Sequence, residues 1–313
     1  MAMDPLLCVH ISKECPIENT TYGYRVNLWV NCLFAAIFAF AFFANIWLGL
    51  RYRIRAYAVV LSLGCLAQMV GYGGRIGMHF LPFNAMPFQI QVCCLIIGPA
   101  FNSAAIYLML KHIVTVFGPQ WSLLKPKQYT ILFIGADIVS LVLQAAGGGI
   151  AATARIGDKD AVNMGNSIMM AGIAFQVVTL SIFAFLALLF TVRRLRAAMS
   201  VPLAGDALQI WQSSKFRWFI GGVSIAFLTI YIRCVYRIAE MQGGWGSKLM
   251  KEEVPFIILE GLMIVMATSA QTILHPGPLF PSFAEPKLKL DADSSYTELP
   301  VLNNSREGLR ETK

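Results

Sequence analysis

Residues Ser167–Val192 read SIMMAGIAFQVVTLSIFAFLALLFTV, 26 positions without an Asp, Glu, Lys or Arg before Arg193 and Arg194 close the run. A helix crossing the ~30 Å hydrocarbon core of a bilayer needs ~20 mostly apolar residues. The run therefore predicts a transmembrane helix. Six more stretches meet the same test: Val26–Leu50, Ala56–Phe80, Phe88–Leu110, Tyr129–Ala152, Trp218–Ala239 and Val254–Leu274. Lipid cannot satisfy free backbone groups, so closed helices are the spanning form that fits these lengths. Short connections make neighbouring helices antiparallel. The expected fold is all-α, a polytopic membrane bundle of seven transmembrane helices.

Composition agrees. Of 313 residues, 57% are hydrophobic and 13% charged, against about 25% charged in soluble domains. Mean hydropathy is +0.62. A soluble enzyme of this length would need more charge for its surface. The net charge of +8 could suggest a nucleic-acid partner, but the basic residues sit in short segments between apolar runs, which is an orientation signal. No nucleic-acid partner is expected.

Arg51, Arg53, Arg55, Lys111, Lys125, Lys127, Arg193, Arg194, Arg196, Lys215 and Arg217 fall on one side of the membrane. Lys13, Arg25, Arg155, Lys159, Lys248 and Lys251 fall on the other. The richer side is expected to be cytoplasmic, with the N-terminus outside and the C-terminus inside. The first 24 residues lack the basic-then-apolar order of a cleaved signal peptide, so the first run is read as a retained anchor. Asn19-Thr20-Thr21 is a glycosylation sequon on the outer side, whereas Asn303-Asn304-Ser305 lies inside and should stay unmodified. Cys8 and Cys15 share the oxidising side and could pair. Seven cysteines without repeated C-x-x-C spacing make neither a disulfide scaffold nor a zinc module.

His275-Pro276-Gly277-Pro278 breaks the last helix, and from Lys287 onward the chain is polar with too little apolar content to fold alone. The expected division is an outer segment 1–25, a membrane domain 26–275 and a cytoplasmic tail 276–313.

Charges are costly inside a bilayer, so those within the runs usually face a cavity or each other. Arg233, Arg237 and Glu240 are spaced i, i+4, i+7 and share one helix face. Glu260 sits six residues into the seventh run, and Arg75 near the outer end of the second. These five residues can occupy the outer half of one bundle interior. Two readings stand: a self-neutralising network that fixes helix register, or the lining of a polar cavity where a charged headgroup docks. Asp137 stands apart in the inner half of the fourth run, with Ser140 and Gln144 further along its helix. Gly73-x-x-x-Gly77 and Gly147-Gly148-Gly149 allow close helix contact, or a region that moves. Pro99 frees a backbone carbonyl and should kink the third helix, where Asn102 and Tyr107 could help shape a cavity.

There is no G-x-x-x-x-G-K-[ST] loop for a nucleotide, and the seventh run has no lysine for a retinal Schiff base. On this topology His79 lies near the outer face and His112 and His275 near the inner, so the histidines cannot converge on zinc or haem. No enzymatic activity, metal or cofactor is expected.

Several motifs run in order along residues 22 to 280: Gly71-Tyr72 with Arg75; Gly98-Pro99, Ala104-Ala105 and Tyr107; Asp137, Ser140 and Gln144 before the glycine run. Gly165, Gly172 and Gln176 follow, then Arg233, Tyr236-Arg237, Glu240 and Gly243, Glu252 or Glu253, and His275-Pro276-Gly277. The series resembles the fungal lipid-translocating exporters, the RTA-like family. Gln68 stands where that family more often has an acidic residue, and Glu260 where it usually has an aspartate.

The resemblance implies a seven-helix protein of the plasma membrane, or of a vacuolar or other endomembrane. It also implies release or flipping of sphingoid bases, tolerance of sterol-like toxins or tetrapyrrole uptake. The expected partner is an amphiphilic lipid or small hydrophobic cation, handled among Arg75, Tyr107, Asp137, Gln144, Gln176, Arg233, Arg237, Glu240 and Glu260. One of the carboxylates Asp137, Glu240 or Glu260 would hold an ammonium headgroup, with Tyr107 and Gln144 as hydrogen-bonding neighbours. The rival class is a seven-helix receptor or membrane-stress sensor, although Met109-Leu110-Lys111-His112-Ile113 carries no Asp-Arg-Tyr switch and the last run no Asn-Pro-x-x-Tyr.

Overall fold

The computed structural model describes residues 15–17, 20, 22–153, 159–197, 206–242 and 252–279. Among them, seven helices are long and apolar enough to cross a membrane. They are α1 (Leu28–Tyr52), α2 (Arg55–Phe80), α3 (Ala85–Phe117), α4 (Pro126–Thr153), α5 (Lys159–Ala197), α7 (Ser214–Gln242) and α8 (Glu253–Ile273). Two short helices, α6 (Asp206–Gln212) and α9 (Pro276–Leu279), lie outside the spans. The multi-pass all-α architecture is the expected one.

Asparagine caps set two of the starts. Asn27 accepts from the Val30 amide at 3.3 Å, and Asn84 accepts from the Met86 amide at 2.9 Å. Arg53, left-handed at φ 58°, ends α1 and lets α2 begin two residues later. Several helices overrun their apolar cores. The 33 residues of α3 make it about 50 Å long, and the 39 of α5 about 58 Å. Hydropathy marks the stretch that tolerates lipid, whereas the helix itself continues into polar turns such as Lys159–Asn166.

α1, α2 and α3 pack as successive neighbours, α4 and α5 form another pair, and α7 lies against α8. α8 also touches α1, while α3 meets α4, α5, α7 and α8, so α3 is the most enclosed helix. Trp29, Phe40, Phe43, Trp47 and Phe185 stand exposed on the outside, a surface that suits lipid and not water.

Close packing between α2 and α3 falls on other glycines than the Gly73-x-x-x-Gly77 spacing suggested. A Cβ on Gly74 would lie 2.8 Å from Pro87 O, and one on Gly71 2.7 Å from Leu95 Cδ2, whereas Gly73 meets nothing within 4 Å. Helix rotation decides this: Gly71 and Gly74, three residues apart, share the inward face, and Gly73 is turned about 100° away from it. In the α4 run, Gly147 is the contact: its Cβ would sit 2.5 Å from Gly165 O.

α8 is irregular at its start. Phe256–Leu262 forms a π-helical turn that carries Glu260 and Gly261. A Cβ on Gly261 would come within 2.4 Å of Phe34 Cε2, so this glycine lets α8 approach α1. The chain leaves α8 at Leu274 and tucks α9 inward, with Pro276 and Gly277 buried. Cys15 is buried and disulfide-bonded. Cys8, its expected partner, lies outside the described residues, as do Asn19 and the 280–313 tail.

Candidate functional site

Pro99 has no N–H, so the carbonyl four residues earlier, that of Leu95, loses its helical partner. Arg233 of α7 supplies the missing donor: its Nη2 lies 2.6 Å from Leu95 O. The same nitrogen bonds Glu260 in the π-helical turn of α8. Both side chains are buried. One turn along α7, Arg237 Nη1 donates to Glu240 Oε2 at 2.7 Å, an i, i+3 pair. The self-neutralising reading thus describes Arg233, Arg237, Glu240 and Glu260, but as two separate pairs.

A small void of about 10 Å³ lies beside these pairs, bordered by Ile96, Gln144, Ile173, Gln176, Arg233, Cys234 and Arg237. A void of that size holds about one water, so the polar side chains are closed around it and a headgroup would enter only as they part. Its far wall is neutral. Gln144 Nε2 donates to Ser140 Oγ at 2.8 Å and to Gln176 Oε1 at 3.2 Å, and Ser140 Oγ donates to Gly172 O at 2.8 Å. Four of the nine expected residues therefore converge on one space: Gln144, Gln176, Arg233 and Arg237. Each comes from a helix that α3 holds in place.

Asp137 lies seven residues before Gln144 on α4, about 10 Å along the helix. It is 3% exposed, and neither carboxyl oxygen has a hydrogen-bond partner of normal geometry. Tyr107 lies against it, its ring packed on Phe133 and Phe183 and its hydroxyl beside the carboxyl group and Ser103. Cys234, on the cavity wall, is within electrostatic reach of both. Of the three deeply buried carboxylates Asp137, Glu240 and Glu260, Asp137 is the one with no cationic side chain beside it among the described residues. Tyr107 is thus a neighbour of Asp137.

Arg75 is placed elsewhere. It does not pair with Glu240 or Glu260; its Nη2 lies 3.8 Å from Glu253 Oε1 and 3.2 Å from Tyr24 Oη. Its guanidinium stacks 3.8 Å above the Phe256 ring and 5.5 Å from the Tyr22 ring. Tyr22 in turn accepts from Gln91 Nε2 at 2.8 Å, and burial pushes its phenol up to about 12 despite the nearby guanidinium. Glu253 Oε1 also accepts from the Asn27 amide at 2.6 Å, and His79 Nδ1 lies 2.7 Å from Val26 O. Arg75 is therefore the centre of a clasp that ties the segment before α1 onto α2, α3 and α8. The reason is distance along the chain: Tyr22 and Tyr24 lie before the first apolar run, where hydropathy gives no sign that they fold back.

The residues that sequence reasoning missed are Cys234, hidden beside Arg233, and the Leu95 carbonyl. Counting four residues back from Pro99 would have found the latter. Among the described residues, no group of three or more His, Cys, Asp or Glu side chains could hold a metal ion.

Comparison with known proteins shows the family. The family described as "RTA1 like protein" matches residues 61–282. The "Sphingoid long-chain base transporter RSB1" of Saccharomyces cerevisiae strain Lalvin EC1118 is 33% identical, over 84% of this chain and 75% of its own. "Protein RTM1" of the same species is 25% identical over 67% of this chain and 64% of its own. The yeast "Protoporphyrin uptake protein 1" is 25% identical over 66% and 65% respectively. No solved structure matches the chain. With the family's profile spanning most of the bundle and a third of the residues shared with the transporter, the chain belongs to the RTA1-like family.

Proposed function

We propose that this protein moves cationic amphiphiles, sphingoid long-chain bases among them, between the leaflets of its membrane. The observation that carries the reading is Asp137, a buried carboxyl group in a seven-helix bundle with no cationic side chain beside it among the described residues. A carboxylate left so is costly unless a proton or a cation joins it, and the ammonium of a sphingoid base is such a cation. Glu240 and Glu260 already have arginines, which narrows three candidate carboxylates to one. Similarity to a sphingoid-base transporter supports the substrate class.

In this reading the ammonium reaches Asp137 while the tail stays in lipid. The neutral wall of Gln144 and Gln176, with the Arg237–Glu240 and Arg233–Glu260 pairs, forms the polar part of the path, and Tyr107 lines its deeper end. Arg75 holds the outer clasp. The basic loops support an N-terminus outside and a cytoplasmic C-terminus, with residues 1–25 as outer segment, 26–275 as membrane domain and 276–313 as tail. Asn19 would then be open to glycosylation. The plasma membrane is the proposed location.

The test is movement of a fluorescent sphingoid base across liposomes holding the purified protein. Movement faster than in protein-free liposomes supports transport. An unchanged rate, from protein shown to be folded, removes transport of this substrate and leaves a sensor of lipid state as the better reading.

A further inference from the structure

Two helices in the bundle are broken at the same depth, and one side chain serves both breaks. α3 lacks the hydrogen bond to Leu95 O because of Pro99, and α8 departs from α-helical bonding over Phe256–Leu262. Such breaks persist within membranes only where a neighbouring group re-satisfies the freed backbone, and π-turns recur at functional sites. Arg233 Nη2 meets both, touching Leu95 O on α3 and Glu260 on α8.

We propose that Arg233 is a positioning residue, a latch that takes the place of the Pro99 amide and joins α3, α7 and α8 so that the cavity beside it stays closed. This deepens the transport reading and rests on it for its role, though not for its test. Three features set Arg233 apart from a static ion pair. It lines the cavity itself, as does Ile96, the residue after Leu95. Its Nε and the second oxygen of Glu260 are buried without partners, so the contact holds unused donors and acceptors that a shifted arrangement could engage. And its acceptor on α3 exists only because position 99 is proline, so the latch can be weakened without touching any charge.

Cys234, buried on the cavity wall next to Arg233, is a built-in reporter. The full chain in lipid nanodiscs is treated with N-ethylmaleimide, and modification of each cysteine is followed over time by mass spectrometry of its peptide. Cys65, buried between α1 and α2 near Asn45, serves as the control. Pro99→Ala returns an amide to Leu95 O and deprives Arg233 of its site on α3. Loss of a charged hydrogen bond should raise the Cys234 rate about tenfold, with Cys65 unchanged. Glu260→Asp, which keeps the charge but shortens the reach, should act in the same direction.

Unchanged Cys234 labelling in Pro99→Ala overturns the latch. So do equal rises at Cys65 and Cys234 in both variants, since a latch loosens its own cavity first. Labelling is independent of flux. A protein that moves no sphingoid base yet shows the selective rise keeps the latch and loses the transport reading; one that transports with unchanged labelling does the reverse.

Discussion

Replacing Asp137 by Asn tests the ammonium site with little disturbance to the fold. The two side chains have nearly the same volume, and the hydroxyl that lies against the carboxyl group, that of Tyr107, can pair with an amide as well. What disappears is the charge. A hydrogen bond to a charged group contributes about 1.5–3 kcal/mol, which is about 10- to 150-fold in apparent affinity. Asp137→Asn should therefore weaken the concentration dependence of sphingoid-base movement by about that factor. The assay compares a fluorescent sphingoid base with its N-acylated, uncharged counterpart in the same proteoliposomes. Movement of the uncharged lipid, if the protein supports any, should not respond. Equal losses for both lipids would mean that Asp137 shapes the bundle and does not read the amine. Glu260→Gln is the wrong substitution for this question, because it leaves the Arg233 guanidinium buried without its counter-charge. Breaking a buried pair from one side costs about 3–5 kcal/mol, so that variant should lose folded protein before it loses selectivity. Replacing Arg233 and Glu260 together by apolar residues should recover much of the stability.

Two predictions concern the frame. Burial holds His275 near pKa 4, below its ordinary 6.5, while its Nδ1 accepts from the Gly277 amide at 3.1 Å and the Tyr57 ring packs edge-on 5.2 Å away. The stabilising contribution is complete above pH 6.5 and falls as the unfolded chain gains a proton that the folded one refuses. Thermal unfolding in detergent should show a loss of about 2 kcal/mol between pH 7 and pH 5, and His275→Gln should remove that part of the dependence. Gly74→Ala forces a Cβ to 2.8 Å from Pro87 O and should destabilise by about 1–3 kcal/mol. Gly73→Ala, with open space around it, should not, and equal effects in a melting experiment would show that α2 is rotated from the orientation described.

The bundle was legible because each span is a one-dimensional signal: apolar length against bilayer thickness. Pro99 shows where that reading stops. The sequence says that a carbonyl is freed, but the donor that takes it lies 138 positions away on α7, and no local pattern selects Arg233 over Arg237. The i, i+4, i+7 spacing placed Arg233, Arg237 and Glu240 on one face correctly. It could not show that Arg233 would turn to α8 while Arg237 stayed with its own helix. Arg75 went astray because charge balance alone offered Glu240 and Glu260, whereas the partners are aromatic rings and Glu253, and stacking on aromatics leaves no charge pattern to read. Cys234 was missed because a thiol among apolar residues looks like core.

The ion pairs and the free carboxyl group divide the work by charge. Arg233 with Glu260 and Arg237 with Glu240 present the cavity with balanced charge, so an amphiphile gains little from them by charge alone and meets them as polar surface. Among the described residues, long-range attraction for a cation inside the bundle then comes from Asp137, about 10 Å beyond Gln144 along α4. A headgroup that carried a phosphate as well as an amine would bring its negative charge toward that same carboxyl group and lose the advantage. The arrangement therefore favours free bases over their phosphorylated forms. The preference should collapse in Asp137→Asn, where neither headgroup meets a charge, and a phosphorylated base moved as fast as the free base by the wild-type protein would place the deciding charge elsewhere.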